Sequence, residues 1–593
     1  MGAVVGKAVE DFAGAPVRLA VAEHAVLRWS GSSGADAGVW DVDAAATCSG
    51  RSFLSAIDEI LLLKETQAFA MVSPARRRTE TALGVAMSRL MEEFLRLRVW
   101  DASPLQGGAA SRLRFAVENL STSVAPSGDA SLAFPTGGGG AATTGELSLA
   151  SSDELYASGG SRTSRPDTVS VDIKFLDELD LICPASLPVL HEMALRVIRA
   201  GHTRDLLRTF NKAPCDVLDR FLAILQVDGS LEADRVSFED AEWWGVEDMV
   251  RRWILAAKLV SKALAAMQRQ LQAQSCGAFD GFKDEYYSMA IAKRGIFGLL
   301  RFADGFTSIH SHEKLIYVLE VYEALSDAAP GLLLVLTGQH AELVSRQVAV
   351  VLAKLARASR VAVGGLVAMI RTDRSPADWD VGVGVGVHPL TRHAMNCVEL
   401  LAPHRDALDV ILANGVGVTS FRCVVSKLIA GLEHNLEEKA AVASADGSPA
   451  QAHLFLANNT SFVSKRSLLG DEWAARRRGL LERHAASYVE ASWGPVVACL
   501  PETAGVAGRP ARALARFESA FERAYSGQAC CEVADPALRA DLRKAVSETV
   551  VPAYAAFLRR HPKIERHARR TAGDLAESLL ELFEGETTGR KKF

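Results

Sequence analysis

Apolar residues along this chain recur three or four positions apart in one stretch after another, the spacing that lines up one face of an α-helix. In "TALGVAMSRLMEEFLRLRVW" the residues Leu83, Ala86, Met87, Leu90, Met91, Phe94 and Leu97 keep that spacing, and "FLSAIDEILLLKE" before it is amphipathic in the same way. The pair predicts either a helical hairpin packed on itself or a coiled-coil stripe for partner helices. Further on, Leu187, Leu190, His191, Ala194, Leu195 and Ile198 are expected to share a face of a helix ended by Gly201. "WWGVEDMVRRWILAAKLVSKALAAMQRQLQA" reads as one long helix, and "SHEKLIYVLEVYEAL" as one capped by Ser311. Alternation with a period of two never persists between turn signals, so strands are few or absent.

The helical period fails once, from about Asp101. The run "APSGDASLAFPTGGGGAATTGELSLASSDELYASGGSRTSRPD" is rich in Gly, Ser, Thr and Pro and cannot bury enough apolar surface to offset its chain entropy. Residues 101–168 are therefore expected to be a disordered linker. Residues 1–100 form an N-terminal helical or coiled-coil segment, and 169–593 a helical body. Consecutive helices with short connections favour an all-α, solenoid-like elongated rod of stacked helical pairs. No fixed-period repeat occurs in the sequence.

Composition narrows the function more than the fold. The 593 residues are 49% hydrophobic and 23% charged, with a formal net charge of -5. No overall field favours nucleic acid, which is not expected as a partner, and attraction to any anion must come from a local patch. The nine cysteines include no C-x-x-C pair, which suits a reducing compartment and argues against zinc and a disulfide framework. The first residues lack the apolar core of a signal peptide. A myristoylation reading of Gly2 meets Gly6 where Ser or Thr is wanted. The longest apolar runs are too short to span a bilayer.

No motif for chemistry survives inspection. There is no phosphate-binding G-x-x-x-x-G-K-[ST], no H-E-x-x-H and no G-x-S-x-G. His191 and Glu192 lack a second histidine at the next turn, because that position is Leu195. His310 and His312 sit at a helix start, where a capping turn is the better reading than a metal site. The run "VGVGVGVHPLTRHAMN" places Gly382, Gly384 and Gly386 before a helix but offers no lysine to grip phosphate. It reads as a loop feeding a helix that Pro389 starts. Leu390, Ala394, Cys397, Val398 and Leu401 make that helix's apolar stripe, and Pro403 kinks or ends it. No enzyme activity, metal or cofactor is expected.

"VHPLTRHAMN" also resembles the V-H-P-L-T-R-Y-V-M-N-Y signature of the 70-kDa exocyst subunit family in its plant form. The likeness continues in order. "HLFLANNTSFVSKRSLLGDEW…SYVEASW" resembles the family's I-F-L-M-N-N…L-L-G-D-x-W…Y-x-x-x-S-W block, "RFESAFERAY…PAY" its next block, and "DLAESLLELFEG" its C-terminal one, covering roughly residues 170–586. The resemblance implies a non-enzymatic rod that joins other exocyst subunits and tethers secretory vesicles. It would be cytoplasmic and peripherally associated with the plasma membrane, with a Rho-type GTPase among its partners. Plant members have diversified, so the alternative is an adaptor or target in immunity that binds defence-related or pathogen proteins.

The resemblance further implies an anionic phosphoinositide membrane surface, phosphatidylinositol 4,5-bisphosphate in particular, as a ligand of basic residues near the C-terminus. Where the family commonly has K-Y-I-K-Y this chain has "RHARR". Arg566 and Arg569 keep the two charges, while His567 and Arg570 replace the two tyrosines. Lys563, Arg566, Arg569 and Arg570 are the candidate lipid-binding residues, with Arg476, Arg477 and Arg478 next in line. Taken without the family, the same charges would pair with the acidic helix that follows, which carries Asp574, Glu577, Glu581 and Glu584. His393 and Cys397 replace two aromatics of the signature block.

Overall fold

The computed structural model describes residues 2–30, 48–66, 73–122, 179–183, 185–213, 215–225, 243–273, 280–289, 293–375, 386–413, 418–445, 449–465, 470–500, 510–529 and 531–584. Among these the fold is all-α. Extended pairing is limited to two isolated bridges, Trp100 with Ile182 and Glu532 with Glu584. No helix among them is long and apolar enough to cross a membrane. The chain divides into two compact units, and the division falls between Ser359 and Arg360.

The first unit holds α1 (Gly2–Ser30), α2 (Cys48–Glu65), α3 (Ser73–Arg96), α4 (Gly108–Thr122), α5 (Ser186–Arg199), α6 (Thr203–Phe210) and α7 (Asp216–Leu225). It continues through α8 (Trp243–Ala273), α9 (Asp280–Tyr287), α10 (Lys293–Gly305), α11 (Leu315–Leu334) and the start of α12 (Gly338–Thr372). The N-terminal helices do not stand apart. α1, α2 and α3 pack on one another, and α2 and α3 pack on α5. Leu19, Phe53, Leu83 and Phe94 lie in the same core as Leu190, Trp253 and Val318. Phe94 stacks on Phe210 with ring centroids 5.2 Å apart, which ties α3 to α6.

Two local expectations shift. Residues 101–122, placed in the linker, form a 3₁₀ turn at Ser103–Leu105 and then α4. Leu105, Ala110 and Leu113 are buried where α4 meets α7 and α8. The Gly- and Ser-rich run that follows masked this short apolar stripe. The rest of the expected linker, 123–168, lies outside the described residues. On α5 the buried face is Leu187, Leu190, Met193, Ala194 and Val197, while Leu195 is exposed, so the face is turned by about one residue. The helix ends as expected. Gly201 takes φ +90°, Gly201 N–H donates to Ile198 O at 2.9 Å, and His202 N–H donates to Val197 O at 3.0 Å.

The second unit holds the end of α12, then α13 (Pro389–Leu401), α14 (Arg405–Leu412), α15 (Phe421–Ala445), α16 (Pro449–Ser464) and α17 (Asp471–Val497). After these come α18 (Pro510–Gln528), α19 (Pro536–Arg560), the single turn α20 (Pro562–Glu565) and α21 (Ala572–Leu580). Helices close in sequence stack: α15 on α16, α16 on α17, α17 on α18 and α19, and α19 on α21. The stripe after Pro389 is buried at every position, and a 3₁₀ turn at Ala402–His404 follows α13, as Pro403 requires. Gly382 and Gly384 lie outside the described residues. At the other histidine-rich helix start, Ser311 Oγ accepts from Glu313 N–H at 3.2 Å, which is a capping turn.

Candidate functional site

The residues that carry the sequence signature turn out to join helices. His388 caps α13, its Nδ1 accepting from Leu390 N–H at 3.1 Å. Asn459, in α16, reaches across 71 residues of sequence. Its Oδ1 accepts from His388 N–H at 2.9 Å and from Thr391 Oγ at 2.6 Å, and its Nδ2 donates to Phe455 O at 2.8 Å. The neighbouring Asn458 donates to Glu532 O at 3.2 Å. Asp535 caps α19 through Ala537 N–H at 3.1 Å and also receives Ser461 Oγ and Lys465. "HPLTR" and "LANN" are thus two halves of one buried polar joint.

The substitutions in that block are absorbed into the core. His393 and Cys397 are both buried, with Nε2 and Sγ 3.5 Å apart. Burial pushes His393 down to about 4 and the Cys397 thiol up to about 12, so the thiol is not a reactive thiolate at neutral pH. No group of three or more metal-ligating side chains gathers among the described residues.

The candidate basic residues lie where α19 ends and the chain turns through α20 into α21. Lys563, Arg566 and Arg569 are exposed, as are Arg559 and Arg560. The turn is pinned by backbone contacts from three elements. Glu518 Oε1, on α18, accepts from Arg569 N–H at 2.8 Å. Tyr554 Oη, on α19, donates to Arg570 O at 2.8 Å. Asp574 Oδ2, in the first turn of α21, accepts from Thr571 N–H at 2.7 Å, and Thr571 Oγ1 accepts from Asp574 N–H at 3.1 Å, closing a capping box. The Thr571 backbone and hydroxyl hold the Asp574 carboxyl below its usual range, and burial raises the Tyr554 hydroxyl to about 12.

Arg570 differs from its neighbours. Its guanidinium lies 5.3 Å from the centroid of Phe521, and Nη2 donates to Glu522 Oε2 at 2.9 Å. Arg569 reaches Glu518 only loosely, with Nε 3.7 Å from Oε2 and a side chain 85% exposed against 34% for Arg570. Arg566 and Arg569 therefore point charge outward, while Arg570 holds the turn to α18. The acidic side chains in direct contact with Arg569 and Arg570 are Glu518 and Glu522, while Asp574 of the helix that follows feels the Arg570 charge from further off. Glu584, beyond α21, is taken by Arg543 and Arg539, which hold its carboxyl below the usual range. Of the second cluster, Arg477 is committed to Glu433 and lies 5.2 Å from the Trp473 ring, whereas Arg476 and Arg478 are exposed. Glu518, Glu522 and Tyr554 fall within the block "RFESAFERAY…PAY", but their hold on the basic turn was not legible there, because each acts across a tertiary contact.

Comparison with known proteins identifies the family of the chain. The family model for the C-terminal part of the Exo70 exocyst complex subunit matches residues 251–581. The chain is similar to exocyst complex component EXO70A1 of Arabidopsis thaliana, 27% identical over 448 residues that cover 69% of this chain and 68% of that one. It is similar to EXO70B1 of the same plant, 26% identical over 442 residues covering 70% and 69%. Among solved structures, the exocyst component Exo70p of S. cerevisiae matches at 13% identity and a TM-score of 0.48, covering 90% of this chain and 94% of that chain. With its family-model match spanning more than half of its length, from within the first third of α8 to just past the end of α21, this chain belongs to the Exo70 exocyst complex subunit family.

Proposed function

We propose that this chain works as an exocyst subunit, binding other exocyst subunits and tethering secretory vesicles at the plasma membrane. In this reading it is a peripheral scaffold and not an enzyme, and its membrane-facing part is the basic turn after α19. The observation that carries the reading is the group of exposed cations at the end of α19 and on the short turn after it, Arg559, Lys563, Arg566 and Arg569, in a chain of this family. Each basic residue near an anionic surface contributes about 1 kcal/mol, so four supply about 4 kcal/mol, a dissociation constant in the millimolar range. Such a turn works in concert with other contacts of the assembly, and its attraction weakens steeply with salt.

The test is flotation with phosphatidylcholine vesicles that contain phosphatidylinositol 4,5-bisphosphate. Arg566→Glu with Arg569→Glu reverses two outward charges and is expected to abolish binding while leaving the helical circular dichroism unchanged. Undiminished binding by the folded double variant would move the site elsewhere, to Arg476 and Arg478 first.

A further inference from the structure

Two carboxylates stand beside the proposed anion surface. Glu518 and Glu522 lie on α18, directly under Arg569 and Arg570. Considered as charges alone they oppose binding of any anion, and neutralising them should tighten it. Their contacts say otherwise. Glu518 is largely buried, its side chain only 18% exposed, and its strong contact is to the backbone N–H of Arg569 at 2.8 Å rather than to the guanidinium, 3.7 Å away. Glu522 holds Arg570, whose guanidinium packs on Phe521 and whose carbonyl accepts from Tyr554. Successive residues of the turn, Arg569, Arg570 and Thr571, are thereby fixed by side chains from α18, α19 and α21. A loop with that many outside holds presents its outward cations in one arrangement, and the ordering cost is met on folding instead of on binding.

We propose that Glu518 and Glu522 are positioning residues of the anion surface. Removing either one weakens attachment to phosphoinositide-bearing membranes, against the sign of its charge. The inference rests on the lipid-binding reading above. Its mechanism is loss of register: with the Arg569 N–H released, Arg566 and Arg569 no longer face the membrane together. The loss is worth half to all of one cationic contact, roughly twofold to fivefold in affinity.

The experiment uses the full chain and the same vesicles, with Glu518→Ala, Glu518→Gln, Glu522→Ala and the Arg566→Glu, Arg569→Glu double variant. Glu518→Gln removes the charge but keeps an oxygen that accepts from the Arg569 N–H. It is expected to bind at least as well as the unaltered chain. Glu518→Ala loses that acceptor and is expected to bind roughly twofold to fivefold more weakly, with faster hydrogen exchange in the peptide spanning residues 565–573. Because Glu518 is largely buried, Glu522→Ala, at an exposed side chain, serves if Glu518→Ala does not fold, and the same weakening is expected of it. Binding by Glu518→Ala or Glu522→Ala that equals or exceeds that of the unaltered chain, while the double arginine variant is lost, overturns the positioning role and leaves the lipid site standing. Full binding by the double arginine variant overturns the lipid site itself.

Discussion

Asn459→Ala removes the residue that joins α13 to α16, and the structure sets the size of the effect. Asn459 is 1% exposed, and its Oδ1 is shared by two donors, His388 N–H at 2.9 Å and Thr391 Oγ at 2.6 Å. Both donors are in buried residues, so alanine leaves them without this acceptor in a place water does not reach easily. An orphaned buried donor costs about 1–3 kcal/mol. Relaxation around the smaller side chain recovers part of that, and the expected loss is about 2–4 kcal/mol. Thr391→Val removes one donor at nearly constant shape and should cost about 1 kcal/mol alone. In that background Asn459→Ala has one donor fewer to orphan, so the double variant should be about 1 kcal/mol more stable than the sum of the singles. Since the chain has two compact units, one global midpoint is a poor reporter, and amide exchange of the peptide covering residues 386–401 is the better assay alongside urea unfolding. Unchanged exchange there in Asn459→Ala, or strict additivity with Thr391→Val, would refute the claim that this joint holds the signature block together.

Two further predictions concern the same region. Leu401 is fully buried at the end of the α13 stripe, so Leu401→Ala should cost roughly 2–4 kcal/mol in urea unfolding, and no change would mean that this face is open to a partner. His393 is held neutral by burial down to about pH 4, against an ordinary value of 6.5. Above pH 6.5 it is neutral whether the chain is folded or unfolded. Below that the unfolded chain takes up a proton that the folded one refuses, so its contribution to stability is lost as pH falls from 6.5 toward 4. His393→Phe should flatten that part of the stability–pH curve, and a curve of unaltered slope would show that other groups dominate it.

Much of the fold was legible in the chain because helices are local. The start of α13 at Pro389, its buried stripe, its end before Pro403 and the stop after α5 at Gly201 all follow from residues within a turn or two of one another. The family blocks were legible for the same reason, as short ordered strings. Pairing between helices was not. The periodicity of α5 showed an apolar face but not that Leu195 would be left outside it, because the face is chosen by the helices packed against it. The stripe of α4 was hidden by the glycines and serines after it until α7 and α8 gave it something to cover.

The candidate site divides along the same line. The sequence by itself determined that cations gather between Arg559 and Arg570 and that two of them match a family pattern. Only the tertiary structure decided what each one does. The partners lie 51 residues away for Arg569 and 48 for Arg570, on a helix that precedes the basic run. A charge run read along the chain sees the acidic helix next to it in sequence. The folded chain instead sets Glu518, Glu522 and Tyr554 against the turn, and so directs Arg569 outward and Arg570 onto Phe521. Which charges reach solvent is settled by contacts between elements far apart in sequence, and no local pattern encodes those.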